Sequence, residues 1–197
     1  MLTQIHQSYL KVVIFTLSLV PILYIIYQIL TNQLGPEPIK DITHQTGKWT
    51  LYFIVITLAM TPLKKITKLH IWINYRRMFG LFIFFYASVH LMTYVGLDYR
   101  FDLTSIGDDI IKKKYIFIGF LAWLLLIPLA VTSNKKMMKI LKDKWKKLHR
   151  LIYLISLFGV IHYLWLVKRD LTEPLIFLII ILILLIFRLK FKYKSFN

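Results

Sequence analysis

The chain has 197 residues, of which 58% are hydrophobic, carries a formal net charge of +17 and contains no cysteine. A soluble domain of this length would need more polar surface, so the composition indicates an integral membrane protein without a large soluble domain. The absence of cysteine excludes disulfides, thiolate metal sites and thiol redox chemistry. The positive charge follows the segments between apolar runs instead of forming one basic face, which argues against nucleic-acid binding.

Six apolar runs separated by charged clusters predict an all-α membrane bundle of six helices, organised as one domain over residues 1–197. A helix needs about 20 residues, and at least about 17, to cross the hydrocarbon. The second and sixth runs are shorter between charges, and flanking Lys and Arg side chains that reach to the interface would extend them. The predicted spans are 11–31, 48–64, 76–97, 114–133, 149–168 and 172–190.

The charges between the spans alternate in a way that predicts the topology. Residues 64–77 contain five basic and no acidic residues, and residues 134–150 contain eight basic residues and one acid. The other three connecting segments balance the two signs, as in 98–114 with four bases and four acids. Cytoplasmic segments are enriched in Lys and Arg. We therefore expect both termini, 64–77 and 134–150 to be cytoplasmic.

Two histidines fall inside predicted spans, His90 in the third and His162 in the fifth, both toward the outer end. Ionisable side chains inside a membrane are costly and usually face the bundle interior with a partner. One such histidine would most simply be neutral and hydrogen-bonded to a neighbouring helix. Two at matching depth favour axial ligation of haem iron, which accepts neutral imidazoles from both faces.

A third histidine, His149, marks a second depth near the inner membrane face. It precedes His162 by thirteen residues, which is about 20 Å along a helix and about 140° around it. The two rings would not share a face unless Gly159 permits a bend or His149 adjusts at the helix mouth. Arg76 precedes His90 by fourteen residues and points roughly the same way, about 40° apart.

Arg76 admits two interpretations. With Arg77 it is an ordinary positive-inside charge, or it is a haem propionate clamp, an unusual ligand or a contact to another anionic cofactor such as a flavin phosphate. The remaining histidines carry weaker signals. His6 and His70 are expected to be solvated or interfacial. His44, just before the second span, is interpreted as a loop residue, with contact to a partner or cofactor edge as the alternative.

Four stretches together resemble one family: "LGPEPIKDITHQTGKWTLYFIVITLAMTPL", "YRRMFGLFIFFYASVHLMTYVGLD", "KKKYIFIGFLAWLLLIPLAVTS" and "WKKLHRLIYLISLFGVIHYLWLVKRD". They cover most of residues 34–170 in order. They are similar to the haem-binding membrane subunits of bacterial periplasmic methionine-sulfoxide reductase systems, which belong to the ferric-reductase-like transmembrane group.

The resemblance implies a multi-pass protein of the bacterial inner membrane that binds b-type haem, one or two groups, with FMN also associated with the family. Its partner would be a periplasmic molybdopterin-containing catalytic subunit that reduces methionine sulfoxide in oxidised proteins. Electrons would come from the quinol pool or from a cytosolic flavin reductase. The chain would thus be an electron-transfer subunit embedded in lipid and not the catalytic subunit.

The resemblance also implies roles for individual residues. His90 and His162 match the outer haem ligands, and His149 matches the inner histidine. The wider group has a histidine pair on each of two helices, whereas Arg76 occupies the fourth position here. The resemblance places no FMN-binding motif.

The sequence thus predicts electron transfer from the inner side, past His149 and then His90 and His162, to an outer partner. The first alternative is a self-contained ferric or quinone reductase that needs no outer partner. The second is a histidine-based proton or metal-ion transporter, which the scarcity of acids inside the spans disfavours. The third is a membrane anchor for a soluble protein, which would leave the embedded histidines without a purpose.

Overall fold

The computed structural model describes the backbone of residues 4–193 and the side chains of residues 8–188. This part of the chain contains eight α-helices and no strand, in agreement with the predicted all-α class. The helices are α1 Gln4–Leu30, α2 Pro38–Thr67, α3 Ile71–Met92, α4 Leu103–Lys112, α5 Lys114–Val131, α6 Lys135–Leu148, α7 Leu151–Leu166 and α8 Thr172–Tyr193. A π-helical segment, Thr93–Asp98, extends α3.

Four helical stretches of the described chain are long and apolar enough to cross a membrane, and α6 with α7, bent by 48° at their junction, forms a fifth candidate. The four are Ser8–Leu30, Pro38–Thr67, Ile71–Asp98 and Lys114–Val131. The crossing of α8 and the cytoplasmic placement of the termini stay predictions. Below, the inner end of the bundle is the end where α2 meets α3 and α6 meets α7, and the outer end is the opposite one.

Helix α2 begins well before the predicted start of the second span at residue 48. Pro38 occupies the first turn, where its missing N–H breaks no helical hydrogen bond. Thr43 and Thr46 donate their hydroxyl protons to the carbonyls of Ile39 and Ile42 within the same helix. Their polarity is thereby satisfied without ending the helix. The prediction that His44 lies in a loop is therefore wrong, because His44 belongs to α2.

Two connecting segments contain short helices of their own. Asp102 caps α4 by accepting hydrogen bonds from the backbone of Thr104 and Ser105, which satisfies otherwise unpaired donors. Asn134 caps α6 by accepting from the Met137 N–H at 2.8 Å. Apolar and charged residues are intermixed in both segments. Short amphipathic helices of this kind were not predicted from the charge counts alone.

Helix α2 occupies the centre of the bundle and packs against α3, α7 and α8, while α5 packs against α7. Leu58, Ile83, Tyr86 and Val160 are fully buried where these helices meet. Tyr86 also anchors α1: its hydroxyl donates to the Ser18 carbonyl at 2.8 Å and accepts from the Ile22 N–H at 3.2 Å. The hydroxyl thus bridges a donor and an acceptor four residues apart on α1, beside Pro21.

Candidate functional site

The structure brings together the two histidines that the sequence placed at matching depth. His90 lies on α3 and His162 on α7. Their ring centroids are 6.0 Å apart and their planes are nearly perpendicular, at 82°. His44, on the neighbouring α2, lines the same cavity.

Backbone carbonyls from two other helices orient both imidazoles. His90 Nδ1 lies 2.9 Å from the Thr43 carbonyl oxygen of α2, and His162 Nδ1 lies 2.7 Å from the Tyr115 carbonyl oxygen of α5. A carbonyl only accepts, so each Nδ1 carries the proton and donates it. In a neutral imidazole this leaves Nε2 with a free lone pair. Such outer hydrogen bonds commonly fix histidines that ligate a metal.

Two glycines make room for the imidazoles. A Cβ at Gly119 would lie 2.6 Å from His162 Nδ1 and 2.9 Å from its Cε1. A Cβ at Gly47 would lie 3.1 Å from His90 Cε1. Each histidine is therefore pressed against the bare backbone of the helix that also supplies its carbonyl partner. A side chain at either glycine position would displace the ring.

The histidines open into a cavity of about 710 Å³ between α2, α3, α5 and α7. Its lining is mainly apolar and extends inward to Leu126 and Ile155. Sites for organic cofactors typically enclose about 300–1,000 Å³ with few polar groups. The cavity therefore has the size and the polarity of a cofactor site.

The histidine spacing fits an iron centre held from two sides. The ring centroids, 6.0 Å apart, are close enough for one iron to bind both imidazoles, because imidazole–metal bonds are about 2 Å long. The part of the chain with described side chains contains no group of three or more His, Asp or Glu residues able to hold a bare metal ion. Haem needs only axial ligands because the macrocycle supplies the other four nitrogens. The residues present fit haem better than a free ion.

Ion pairs surround the outer mouth of the cavity. Lys48 lies 2.6 Å from Glu173, which also accepts a hydrogen bond from the Tyr163 hydroxyl. On the opposite side, Asp109 pairs with Lys113 at 2.6 Å and accepts from Tyr94 and Tyr99. The Lys113 ammonium and, next, the Tyr99 hydroxyl lower the pKa of Asp109.

At the inner end, His149 lies in the junction between α6 and α7, before the first residue of α7. Its ring stacks on Trp145, with centroids 3.9 Å apart, and its Nε2 is 3.0 Å from the Thr132 hydroxyl. The expected 140° offset assumed one straight helix through His149 and His162. The structure instead bends the chain there, while Gly159 lies inside an uninterrupted α7. His149 therefore precedes α7, and its ring does not have to point in the direction that one straight helix through His162 would give.

Arg76 lies near this junction. Its charge acts on the His149 imidazole and on Arg188 of α8. Arg77, the adjacent residue, is exposed, as is His70. The side chain of His6 lies outside those that the structure describes. Arg76 is therefore partly buried, whereas the neighbouring Arg77 is an ordinary exposed charge.

Sequence reasoning missed the residues that support the histidines. Gly47, Gly119 and the carbonyls of Thr43 and Tyr115 act through the register of neighbouring helices, which the chain order does not reveal. Arg188 was counted only as one positive charge of the C-terminal segment. A signal existed for Arg188, because it interrupts an apolar run that otherwise continues to Leu189.

Comparison with known proteins agrees with the site. The family model described as "Ferric reductase like transmembrane component" matches residues 14–160. A protein from Xanthomonas euvesicatoria pv. vesicatoria (strain 85-10), named protein-methionine-sulfoxide reductase heme-binding subunit MsrQ, is 48% identical over 84% of this chain and 76% of its own length. A protein of the same name from Herminiimonas arsenicoxydans is 44% identical over 94% of this chain and 87% of its own length.

The chain belongs to the ferric-reductase-like transmembrane family and is a multi-pass membrane protein. The predicted resemblance to haem-binding subunits of methionine-sulfoxide reductases is confirmed by the names of these relatives.

Proposed function

We propose that this protein binds b-type haem and carries electrons across the membrane to a methionine-sulfoxide reductase. The observation that carries the proposal is the facing pair His90 and His162, whose Nε2 atoms are free inside an apolar cavity of about 710 Å³. The names of the relatives support the same cofactor and the same reductase system.

In this proposal His90 and His162 would hold an outer haem through their Nε2 atoms. The carbonyls of Thr43 and Tyr115 hold the imidazoles in the tautomer that leaves Nε2 free. The apolar lining excludes water and thereby protects reduced iron from side reactions. Haem supplies reversible one-electron chemistry when bound. The chain itself orients the cofactor and makes or breaks no bond of the substrate.

We propose that His149 belongs to a second cofactor site at the inner end of the bundle. Arg76 occupies the position where the wider family pattern has its fourth histidine. A second haem at this depth would receive electrons from quinol or from a cytosolic flavin reductase, with FMN as a further cofactor. The charge of Arg76 acts on the His149 imidazole, which supports a shared site. The proposed arrangement has six spans in one domain, residues 1–197, with both termini on the cytoplasmic side of a bacterial inner membrane.

The proposed outer partner is a periplasmic molybdopterin-containing catalytic subunit. It would accept electrons at the outer end, where the mouth of the cavity opens between Lys48 and Lys113. Ion pairs at this rim would contribute mainly to the rate and orientation of docking.

The ligand assignment is tested on purified protein by reduced-minus-oxidised absorbance and by haem quantification. His90→Ala and His162→Ala should each lose the outer haem, because a single imidazole cannot hold the iron from both sides. His70→Ala, which alters an exposed histidine, is the control and should keep the full spectrum. If the two cavity variants fold and keep an unchanged spectrum, the ligand assignment is wrong.

The description of the family model favours a second candidate, a self-contained ferric or quinone reductase. The two are separated in proteoliposomes with an inner electron donor. Rapid reduction of an outer ferric chelate without any partner protein would favour the second candidate. Reduction that depends on the purified catalytic subunit would favour the first.

A further inference from the structure

Acidic side chains are distributed unevenly between the two ends of the bundle. All nine acidic residues of the sequence lie between Glu37 and Glu173, within the part of the chain whose side chains are described. The acid of the inner segments is Asp143, which is exposed and lies 3.1 Å from Lys146. Half-buried Arg76 and Arg188 have no carboxylate within ion-pair distance among the described side chains. The described chain thus supplies no counter-ion for this arginine pair.

Arg188 is held in place by groups that carry no charge. Pro62 of α2 lacks the N–H that would bind the Leu58 carbonyl, and Arg188 Nη2 donates to that carbonyl at 2.9 Å instead. Arg188 Nη1 donates to the Tyr153 hydroxyl of α7 at 3.1 Å. The guanidinium is therefore fixed between α2, α7 and α8 by backbone carbonyls and by the hydroxyl and ring of Tyr153, none of which carries a formal negative charge.

Three buried hydrogen-bonding atoms of Arg188 and of the α2 turns beside it have no partner in the described part of the structure. They are Arg188 Nε and the hydroxyl oxygens of Thr57 and Thr61, all fully buried. The Tyr153 hydroxyl accepts from Arg188, so its own proton is available for donation. A buried polar group without a hydrogen-bond partner is energetically unfavourable. Arg188 thus contacts Tyr153 and Thr57, both of which have a hydroxyl proton to donate, and no negatively charged acceptor lies among the described side chains there.

We infer that Arg76 and Arg188 bind an oxyanion, a phosphate or a carboxylate, at the inner end of the bundle. Guanidinium groups match such anions with paired, charge-assisted hydrogen bonds. Tyr153 and Thr61 would supply further donors. The two sources of this chemistry are the phosphate of an anionic membrane phospholipid and the acidic group of a cofactor beside His149. The inference does not depend on haem ligation by His90 and His162.

The first experiment counts and identifies the anion. The full chain is purified in a zwitterionic detergent, and native mass spectrometry records which groups it retains. A retained mass of a phospholipid or of a cofactor distinguishes the two sources. In parallel, the melting temperature is compared in nanodiscs of phosphatidylcholine alone and with phosphatidylglycerol. Retention of an anion, or a higher melting temperature with phosphatidylglycerol, supports a site. If the wild-type protein retains no anion and its melting temperature does not rise with phosphatidylglycerol, the inference is overturned.

Variants then locate the anion. Arg76→Gln and Arg188→Gln should weaken its binding by at least about tenfold, whereas Arg77→Gln, a matched loss of an exposed charge, should leave it unchanged. Equal anion retention in Arg76→Gln and Arg77→Gln would place the anion elsewhere. Among the described residues the Arg76 side chain donates to no backbone carbonyl, so Arg76→Gln remains decisive if Arg188→Gln destabilises the fold by freeing the Leu58 carbonyl.

A gain-of-charge variant tests the same site from the opposite direction. Thr61 is one helical turn from Thr57 and leans toward the turn that contains Leu58. Thr61→Asp would give Arg188 a carboxylate within the chain. The variant should fold and lose both the retained anion and the stabilisation by phosphatidylglycerol. A folded Thr61→Asp protein that retains the anion as the wild type does would contradict the inference.

Discussion

At the scale of single residues, the positions of the two cavity histidines depend on two glycines that have no side chain. Gly119 and Gly47 bear hydrogen where every other residue bears Cβ, and the imidazoles of His162 and His90 occupy that space. The histidines themselves were found from the sequence by their matching depth. The glycines were not, because a glycine in an apolar helix carries no sign of what lies opposite it.

Gly119→Ala should displace His162, because its Cβ would lie 2.6 Å from Nδ1 and break the hydrogen bond to the Tyr115 carbonyl. We expect loss of outer haem or a change from its low-spin signal, measured by haem content and EPR. Gly47→Ala should have a smaller effect, since its closest contact with His90 would be 3.1 Å.

Gly80→Ala is the matched control, because a Cβ there meets nothing within 4 Å. Equal haem content and EPR spectra in Gly119→Ala and Gly80→Ala would show that the contact with His162 does not matter.

At the scale of elements, the sequence predicted which segments form apolar helices better than where these helices begin and end. The second span was placed from residue 48 because Lys40, Asp41 and Lys48 interrupt the apolar pattern. A helix satisfies its own backbone irrespective of such charges, so α2 extends from Pro38 to Thr67. The same limit hid α4 and α6, whose charges mark the interface and not the absence of a helix.

Helix α4 is joined to the outer end of α3 through Asp109, which binds Tyr94, Tyr99 and Lys113. Its pKa is lowered below the ordinary value of 3.8, chiefly by Lys113 and then by Tyr99. The ionised form therefore stabilises the fold above that ordinary value. This contribution should be lost as the pH falls through the lowered pKa of the folded state.

Asp109→Asn tests this pH dependence by hydrogen exchange of α4. The variant should exchange faster than the wild type near neutral pH, and the difference should vanish in strong acid, when the wild-type carboxyl is protonated as well. Asp108→Asn removes an ion pair with Lys112 at a more exposed position and should have a smaller effect. A difference between Asp109→Asn and wild type that persists unchanged in strong acid would refute the assignment.

At the scale of the whole molecule, the two ends differ in how charge is balanced. The rim of the cavity at the outer end has Lys48 and Lys113 paired with acids, while the inner segments carry many bases and the single acid Asp143. The hydrophobic composition indicated a membrane protein, and the order of the charges along the chain, not their total of +17, predicted which segments are cytoplasmic. Which charges are exposed and which are enclosed, as with Arg77 and Arg76, depends on how the helices pack.

The absence of cysteine makes the predicted topology directly testable. Ile111→Cys lies on α4, where the native side chain is 84% exposed, and should react with a membrane-impermeant maleimide added to intact cells or spheroplasts. Lys136→Cys, exposed on α6, should react only after the membrane is opened. The reverse labelling pattern would show that the predicted orientation is inverted. Labelling of both cysteines from outside would contradict the single predicted span between residues 111 and 136.

The facing histidines connect more of the molecule than their own two helices. His90 and His162 lie on α3 and α7, whereas the carbonyls that hold them belong to α2 and α5. A ligand shared by the two imidazoles would therefore tie four helices at one point. Separation of any of these helices would alter the coordination, so the colour of the bound haem would report whether the bundle is assembled. Absorbance alone could then follow the folding of this membrane protein in real time.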